Sequence, residues 1–449
     1  MATLFLLIFY CIAGFAVVRA FWPAPMRWSP ADPIRLALSL PVGMAIASLV
    51  FYFCYPSVMA AAVFVAASAI IAAIAVIRAR NAAPDRPAIS MPPPSSWLRW
   101  SFVLALAATI CMYLLILYRS PHGDWDAWCI WNLRATFLFH GRDIFDPTYA
   151  NYFWSHPDYP LLLSGSIALL WKVNGEIALW VPWLLHFLIL LTALAVPMTV
   201  IRQLRGEAVA LIAGLVLLTA RPLVAIAASL YSDVLFASIF AGATAALTLA
   251  NSDDPIDANL VRLAGFLTGM AAWTKNEGLL FFCVLTAVLV VAIRLPIRKR
   301  LSAAFPFLAA AAPFLAVLAH YKRHMPVDPE IAAASGHFFN AILDAGRYKA
   351  VLTGYLAEAI RSPGMVLPSS AVLALWRLWG DFHWRGLRSL PIAPLAAAIQ
   401  HAGYAAVYLI TPNDIAWHIG SSLTRLLLQT WPAIVMGICL IGYKQQRSD

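Results

Sequence analysis

Charge is scarce in this sequence. Asp, Glu, Lys and Arg supply 12% of its 449 residues, about half the share found in soluble domains. Apolar residues supply 62%. No single aqueous core can hide that much hydrocarbon, which excludes a soluble globular protein and predicts an integral membrane protein. Long hydrophilic stretches are missing as well. The two longest, residues 119–160 and 321–361, fall short of the roughly 50 residues that a domain needs. An appended soluble catalytic or nucleotide-binding module is thereby excluded. No G-x-x-x-x-G-K-[ST] occurs, which argues against an ATP-driven pump. The six cysteines (Cys11, Cys54, Cys111, Cys129, Cys283 and Cys439) lack paired or metal-ligand spacing. Five lie in apolar segments as small hydrophobes, and Cys129 falls in a long loop.

What is abundant is apolar sequence in helix-sized runs, because in lipid only a helix satisfies its own backbone. Spans are expected at 1–21, 34–54, 57–77, 100–118, 177–201, 207–228, 234–250, 260–273, 279–293, 301–320, 365–379, 392–410 and 425–441. The fold class is therefore an all-α polytopic membrane protein of about 13 transmembrane helices. Residues 161–172 are apolar but too short to cross, and read as interfacial or re-entrant. The first span has no basic residue before Arg19, so it reads as a retained span with an outward N-terminus.

The net charge of +10 reads as loop anchoring, not as affinity for nucleic acid. With the N-terminus outside, the clusters Arg78, Arg80, Arg86 and Arg99, and Arg294, Arg298, Lys299 and Arg300, fall on the cytoplasmic side. Residues 1–99 then form a three-span group closed by a cytoplasmic proline-rich linker. Residues 100–300 follow as a central module, and 301–449 as C-terminal spans with a second outer loop at 321–361. Both long loops face the periplasm or exterior, together with junctions at 221–233, 274–278 and 411–424. The expected location is the bacterial inner (plasma) membrane, among membrane lipids.

The acidic residues gather on that outer face. Asp124 and Asp126 form a D-x-D framed by Trp125, Trp128 and Trp131; such a pair can hold a divalent cation, or one member can act as a general base. The bland alternative is an interfacial helix with an aromatic belt. His156-Pro-Asp-Tyr-Pro160 closes the loop, where Asp158 is either a turn-former or a further carboxylate. Asp233 in Tyr231-Ser-Asp either caps a helix or joins the D-x-D. Lys275 and Glu277 in Thr274-Lys-Asn-Glu-Gly278 lie near bilayer depth, where ionised groups are costly and usually functional. They could also simply pair with each other. His418, Ser422 and Arg425 follow i, i+4, i+7 and share one helix face. Arg221, Lys275, Lys322, Arg323 and Arg425 are outer-face cations suited to an anionic headgroup.

The order of these motifs resembles the GT-C superfamily of membrane glycosyltransferases: an acidic motif in the first large outer loop, then P-L-L-L, Y-x-D and T-K-x-E-G. Within it, the likeness is to the family of protein O-mannosyltransferases and lipid A aminoarabinose transferases. It covers residues 100–300, with the flanking parts matched loosely. The resemblance implies a GT-C-like module with juxtamembrane helices in the first outer loop. It also implies a polyprenyl-phosphate-linked sugar as donor, an envelope glycan, lipid or protein as acceptor, and inversion at the sugar carbon. Carried over by position, the loop acid is Asp124 or Asp126, as base or metal ligand. The second-loop acid is Asp233, in support, and the lysine near the donor phosphate is Lys275; from the residues' own chemistry, Arg425, with Arg221, would join Lys275 in holding the phosphate. Whether a divalent metal takes part is left open by the resemblance. Where the family often has Lys-Pro-Pro, this chain has Asp158-Tyr-Pro160. The competing expectation is a secondary transporter or flippase for a lipid-linked or small anionic substrate.

Overall fold

The computed structural model describes residues 1–25, 29–85, 93–142, 156–251, 256–293, 297–326, 329–362, 365 and 391–441. Among these residues every regular element is a helix. Nine helices among the described residues are long and apolar enough to cross a bilayer, and the chain is a multi-pass membrane protein by that measure. They are α1 (Ala2–Phe21), α2 (Asp32–Cys54), α3 (Met59–Ala79), α4 (Ser96–Arg119), α7 (Trp180–Arg205), α10 (Asp233–Asn251), α13 (Ile297–His324), α16 (Ile392–Ile410) and α17 (Ile415–Leu440). Between them come α5 (Asn132–Phe139), α6 (Leu162–Asn174), α8 (Glu207–Thr219), α9 (Arg221–Ala228), α11 (Ala258–Ala272), α12 (Glu277–Ala292), α14 (Pro329–Leu343) and α15 (Ala345–Arg361).

The count differs from the expected thirteen for physical reasons. The apolar run 207–228 is broken at Ala220, so that α8 and α9 meet at 62°. A proline at the second position of α9 starts the new helix there. The runs at 260–273 and 279–293 fold as helices of 15 and 16 residues, about 22–24 Å long and short of a full crossing. The expected span 365–379 lies outside the described residues apart from Met365. The last span begins ten residues earlier than its apolar run, at Ile415, because Asp414 caps it by accepting the Trp417 N–H at 2.8 Å. Arg425 therefore stands inside a helix and not at a span end.

Aromatic side chains mark the two ends. Trp97 and Trp100 are exposed at the start of α4, and Tyr118 at its end. The rise between Trp100 and Tyr118 is about 27 Å, close to the thickness of a hydrocarbon core. Packing inside relies on small residues. Gly14 of α1 and Gly43 of α2 let the two backbones touch: a Cβ on either would meet a backbone oxygen, Ser39 O at 1.7 Å or Tyr10 O at 1.8 Å. Helix α10 is the hub, buried along almost its whole length.

The short apolar segment is enclosed by protein. Residues Leu162–Trp171 of α6 are all buried. The helix is wedged among α1, α2 and α5 through Tyr10 Oη to Ser166 O (3.1 Å), Ser48 Oγ to Leu161 O (2.9 Å) and Ser164 Oγ to Trp131 O (2.9 Å). Gly175, with φ +85°, ends it.

Candidate functional site

Five chain segments meet at one end of the bundle, and each is held there by identifiable local structure. The first follows α4. Gly123 adopts φ +77° and lies so close to Ser229 that a Cβ would come within 2.6 Å of that carbonyl oxygen. The Asp124 N–H donates to the same oxygen at 3.1 Å. This contact delivers Asp126 to the start of a π-helical turn, Ala127–Trp131, a form often found at functional sites.

The second segment is His156–Pro160. The buried Arg134 donates to the carbonyls of both His156 and Tyr159, and Tyr321 Oη donates to Pro157 O at 2.7 Å. The rings of His156, Tyr159 and Trp131 stack in series, with centroids 4.9 and 5.6 Å apart. Asp158 is thereby turned inward. Its Oδ2 accepts from Lys322 Nζ at 2.9 Å and from Asn276 Nδ2 at 2.8 Å, and Lys322 also donates to Asn276 Oδ1 at 2.7 Å.

The third and fourth segments supply the buried centre. Asp233, 1% exposed, opens α10, where the helix dipole favours its ionised form. Its Oδ1 accepts from Lys275 Nζ at 3.0 Å and from Gln429 Nε2 at 2.7 Å. Lys275 is 4% exposed and also lies 3.0 Å from Glu277 Oε1. A tight turn between α11 and α12 places it: at Gly278 a Cβ would meet Ala271 O at 2.0 Å. The Lys275 ammonium also stands 6.0 Å from the Trp131 and Tyr159 ring centroids. The fifth segment is α17, where Arg425 ion-pairs with Asp126 and stands 5.4 Å over the Tyr231 ring. Gln429, one turn further on, completes the link to Asp233.

The electrostatics follow from this crowding. Burial pulls the Lys275 ammonium down, but Asp233 and Glu277 outweigh it and raise the group above its ordinary value. Burial pushes the Tyr159 phenol well up, and the charges of Glu277, Asp158 and Asp126 act in the same direction. Tyr231 is raised by burial and by Asp126. Both tyrosines therefore stay protonated donors at neutral pH. The buried polar atoms without a partner among the described residues include Asp158 Oδ1, Asp233 Oδ2, Glu277 Oε2 and Trp131 Nε1 at this site. Groups of this kind are costly unless a ligand or water satisfies them. The two described non-glycine residues with positive φ, His156 (+48°) and Leu230 (+61°), lie in the loops that carry Asp158 and Asp233, the kind of strain that gathers at functional sites.

The structure brings together Asp126, Asp158, Asp233, Lys275, Glu277 and Arg425. It does not bring Asp124, His418 or Arg221 into direct contact with them. Asp124 is exposed, and its Oδ1 accepts from the Trp125 N–H at 2.8 Å. Among the described residues no three His, Cys, Asp or Glu side chains converge as metal ligands. His418 bonds Thr411 Oγ1 at 2.8 Å and meets Tyr408 edge-on, about 10 Å along α17 from Arg425. Arg221 is exposed at the start of α9.

Sequence reasoning missed Arg134, Asn276 and Gln429. Asn276 lies inside the motif that was read for its charges. Gln429 continues the 418–422–425 stripe by one turn, and an amide in so apolar a segment is itself a signal. Arg134 acts only on backbone carbonyls, so nothing in its local sequence announces it.

Comparison with family models, with curated proteins and with solved structures returned no match.

Proposed function

We propose that this protein is a membrane glycosyltransferase that moves a sugar from a polyprenyl-phosphate donor to an envelope acceptor at the outer face of the membrane. The observation that carries this reading is the meeting of Asp126 with Arg425, and of Asp233 with Lys275, in one cluster fed by five distant segments. Around it lie buried acceptors that still need donors, which suits a hydroxyl-rich ligand.

The chemistry runs as follows. The acceptor hydroxyl gives its proton to the Asp126 carboxylate, and its oxygen forms a bond to the sugar's anomeric carbon. The bond from that carbon to the phosphate oxygen breaks, and the electron pair leaves with the phosphate. Attack opposite the leaving group inverts the centre. Phosphate departs readily without a strong acid, so what the site must supply is a base and positive charge. Arg425 and Lys275 supply the charge. In the absence of donor, Arg425 is neutralised by Asp126; a phosphate that draws Arg425 away leaves Asp126 able to accept a proton. Asp233, held by Lys275 and Gln429, fixes the position of the lysine.

The α8–α9 break at 62° favours a second reading, a transporter or flippase, because discontinuous helices are common in transport proteins. Incubating the purified protein with a labelled polyprenyl-phosphate sugar and a crude envelope acceptor separates the two. Label transferred to the acceptor supports the enzyme. Label crossing sealed vesicles with its sugar–phosphate bond intact supports the transporter and defeats the enzyme.

A further inference from the structure

The end of the bundle opposite Asp126 holds a second convergence of charge, built from arginine alone. Arg78, in the last turn of α3, donates Nη2 to Asn259 Oδ1 at 2.9 Å. Arg262, on α11, donates Nη1 to the same oxygen at 3.1 Å. Two guanidinium groups that share one acceptor atom lie within about 6 Å of each other, where like charges repel. Neither has an ion-pair partner among the described residues. The other Nη of Arg78 reaches the Ala20 carbonyl. Asp257, two residues from Asn259, caps α11 by accepting the Asn259 N–H at 2.7 Å. The contrast with nearby arginines is direct: Arg19 and Arg35 at the same end are matched by Asp32 and Asp85.

The surroundings indicate what the missing anion is attached to. Both arginines are exposed, at the level where the apolar run of α3 stops. On the turns of α3 just before Arg78, Ile70, Ile74 and Ile77 are exposed, as suits a lipid-facing helix side. Guanidinium groups bind phosphate through paired, charge-assisted hydrogen bonds, and the Asn259 amide nitrogen adds donors.

We propose that Arg78, Arg262 and Asn259 bind the phosphate of an anionic phospholipid headgroup, with its acyl chains along Ile70, Ile74 and Ile77. The site is independent of the sugar-transfer reading.

The test is thermal unfolding of the full chain in phosphatidylcholine bilayers, with and without phosphatidylglycerol. Phosphatidylglycerol is expected to raise the wild-type melting temperature by a few degrees, and inorganic phosphate alone to leave it unchanged. The Arg78→Gln/Arg262→Gln variant loses the rise, whereas Arg80→Gln keeps it. If the double variant does not fold, Asn259→Asp decides. It places a carboxylate between the arginines, so the protein should be stabilised without lipid and stop responding to phosphatidylglycerol. A rise that persists in Asn259→Asp, or an equal rise with inorganic phosphate, overturns the proposal.

Discussion

Arg425 ion-pairs with Asp126 across 299 positions of sequence, tying the last helix to the loop after α4. Each is the other's charged partner, so the pair is energetically coupled. Arg425→Asp should lower stability, and adding Asp126→Arg should recover about 1–3 kcal/mol of that loss. A double-mutant cycle on thermal unfolding in detergent measures the coupling. Simple additivity of the two effects would contradict the pairing.

Lys275 neutralises two carboxylates at once, the buried Asp233 and the partly buried Glu277. Lys275→Met strands Asp233 and Glu277, and the expected cost is about 3–5 kcal/mol. Denaturant titration of wild type and variant checks this, and a cost below about 1 kcal/mol would show that the lysine is not buried between them.

The same lysine sets an alkaline limit. Its pKa is raised above the ordinary 10.5 by Asp233 and Glu277, so the folded state holds the proton more tightly than the unfolded state. Its contribution to stability is complete below pH 10.5 and is lost as pH rises through the higher folded value. The stability gap between wild type and Lys275→Met should therefore stay constant from neutral pH to about 10 and close above it. A gap that widened as the pH rose above about 10 would reverse the sign and contradict the assignment.

How much of this was readable beforehand differs by feature. The helical class and the lipid setting follow from composition alone, and the T-K-N-E-G and Y-S-D motifs do meet, because charge in so apolar a chain must find a partner. Within the Asp124–Asp126 pair, Asp126 meets Arg425 whereas Asp124 is exposed, a difference that spacing alone does not reveal. An apolar run reports burial, whether by lipid or by protein, and the runs at 260–273 and 279–293 fold as helices of 15 and 16 residues. The 13-residue helix α6 is the clearest instance: its hydrophobicity serves the core. Arg425 was placed at a span end because the Asp414 cap that extends α17 leaves no mark in hydropathy.

A different ion cluster secures the opposite end. Arg35 is fully buried, joined to Asp85 at 2.6 and 2.8 Å and to Asp32 at 3.2 Å, and lies 4.1 Å over the Trp22 ring. Arg35→Leu should cost about 3–5 kcal/mol by leaving those acids buried. Arg99 pairs with Glu207 at 3.2 Å but both are about half exposed. Its loss should cost no more than about 1 kcal/mol. Equal effects of the two substitutions on the melting temperature would contradict the difference in burial.

The central claim is that Asp126, turned inward toward Arg425, is the base, and that Asp124 is not. Transfer of labelled sugar from a polyprenyl-phosphate donor, compared among wild type, Asp126→Asn and Asp124→Asn, tests it most directly. Asp126→Asn is expected to lose about 10²–10⁴-fold in transfer, and Asp124→Asn to stay near normal. Full activity in Asp126→Asn, or a wild-type protein that transfers no label, would contradict it.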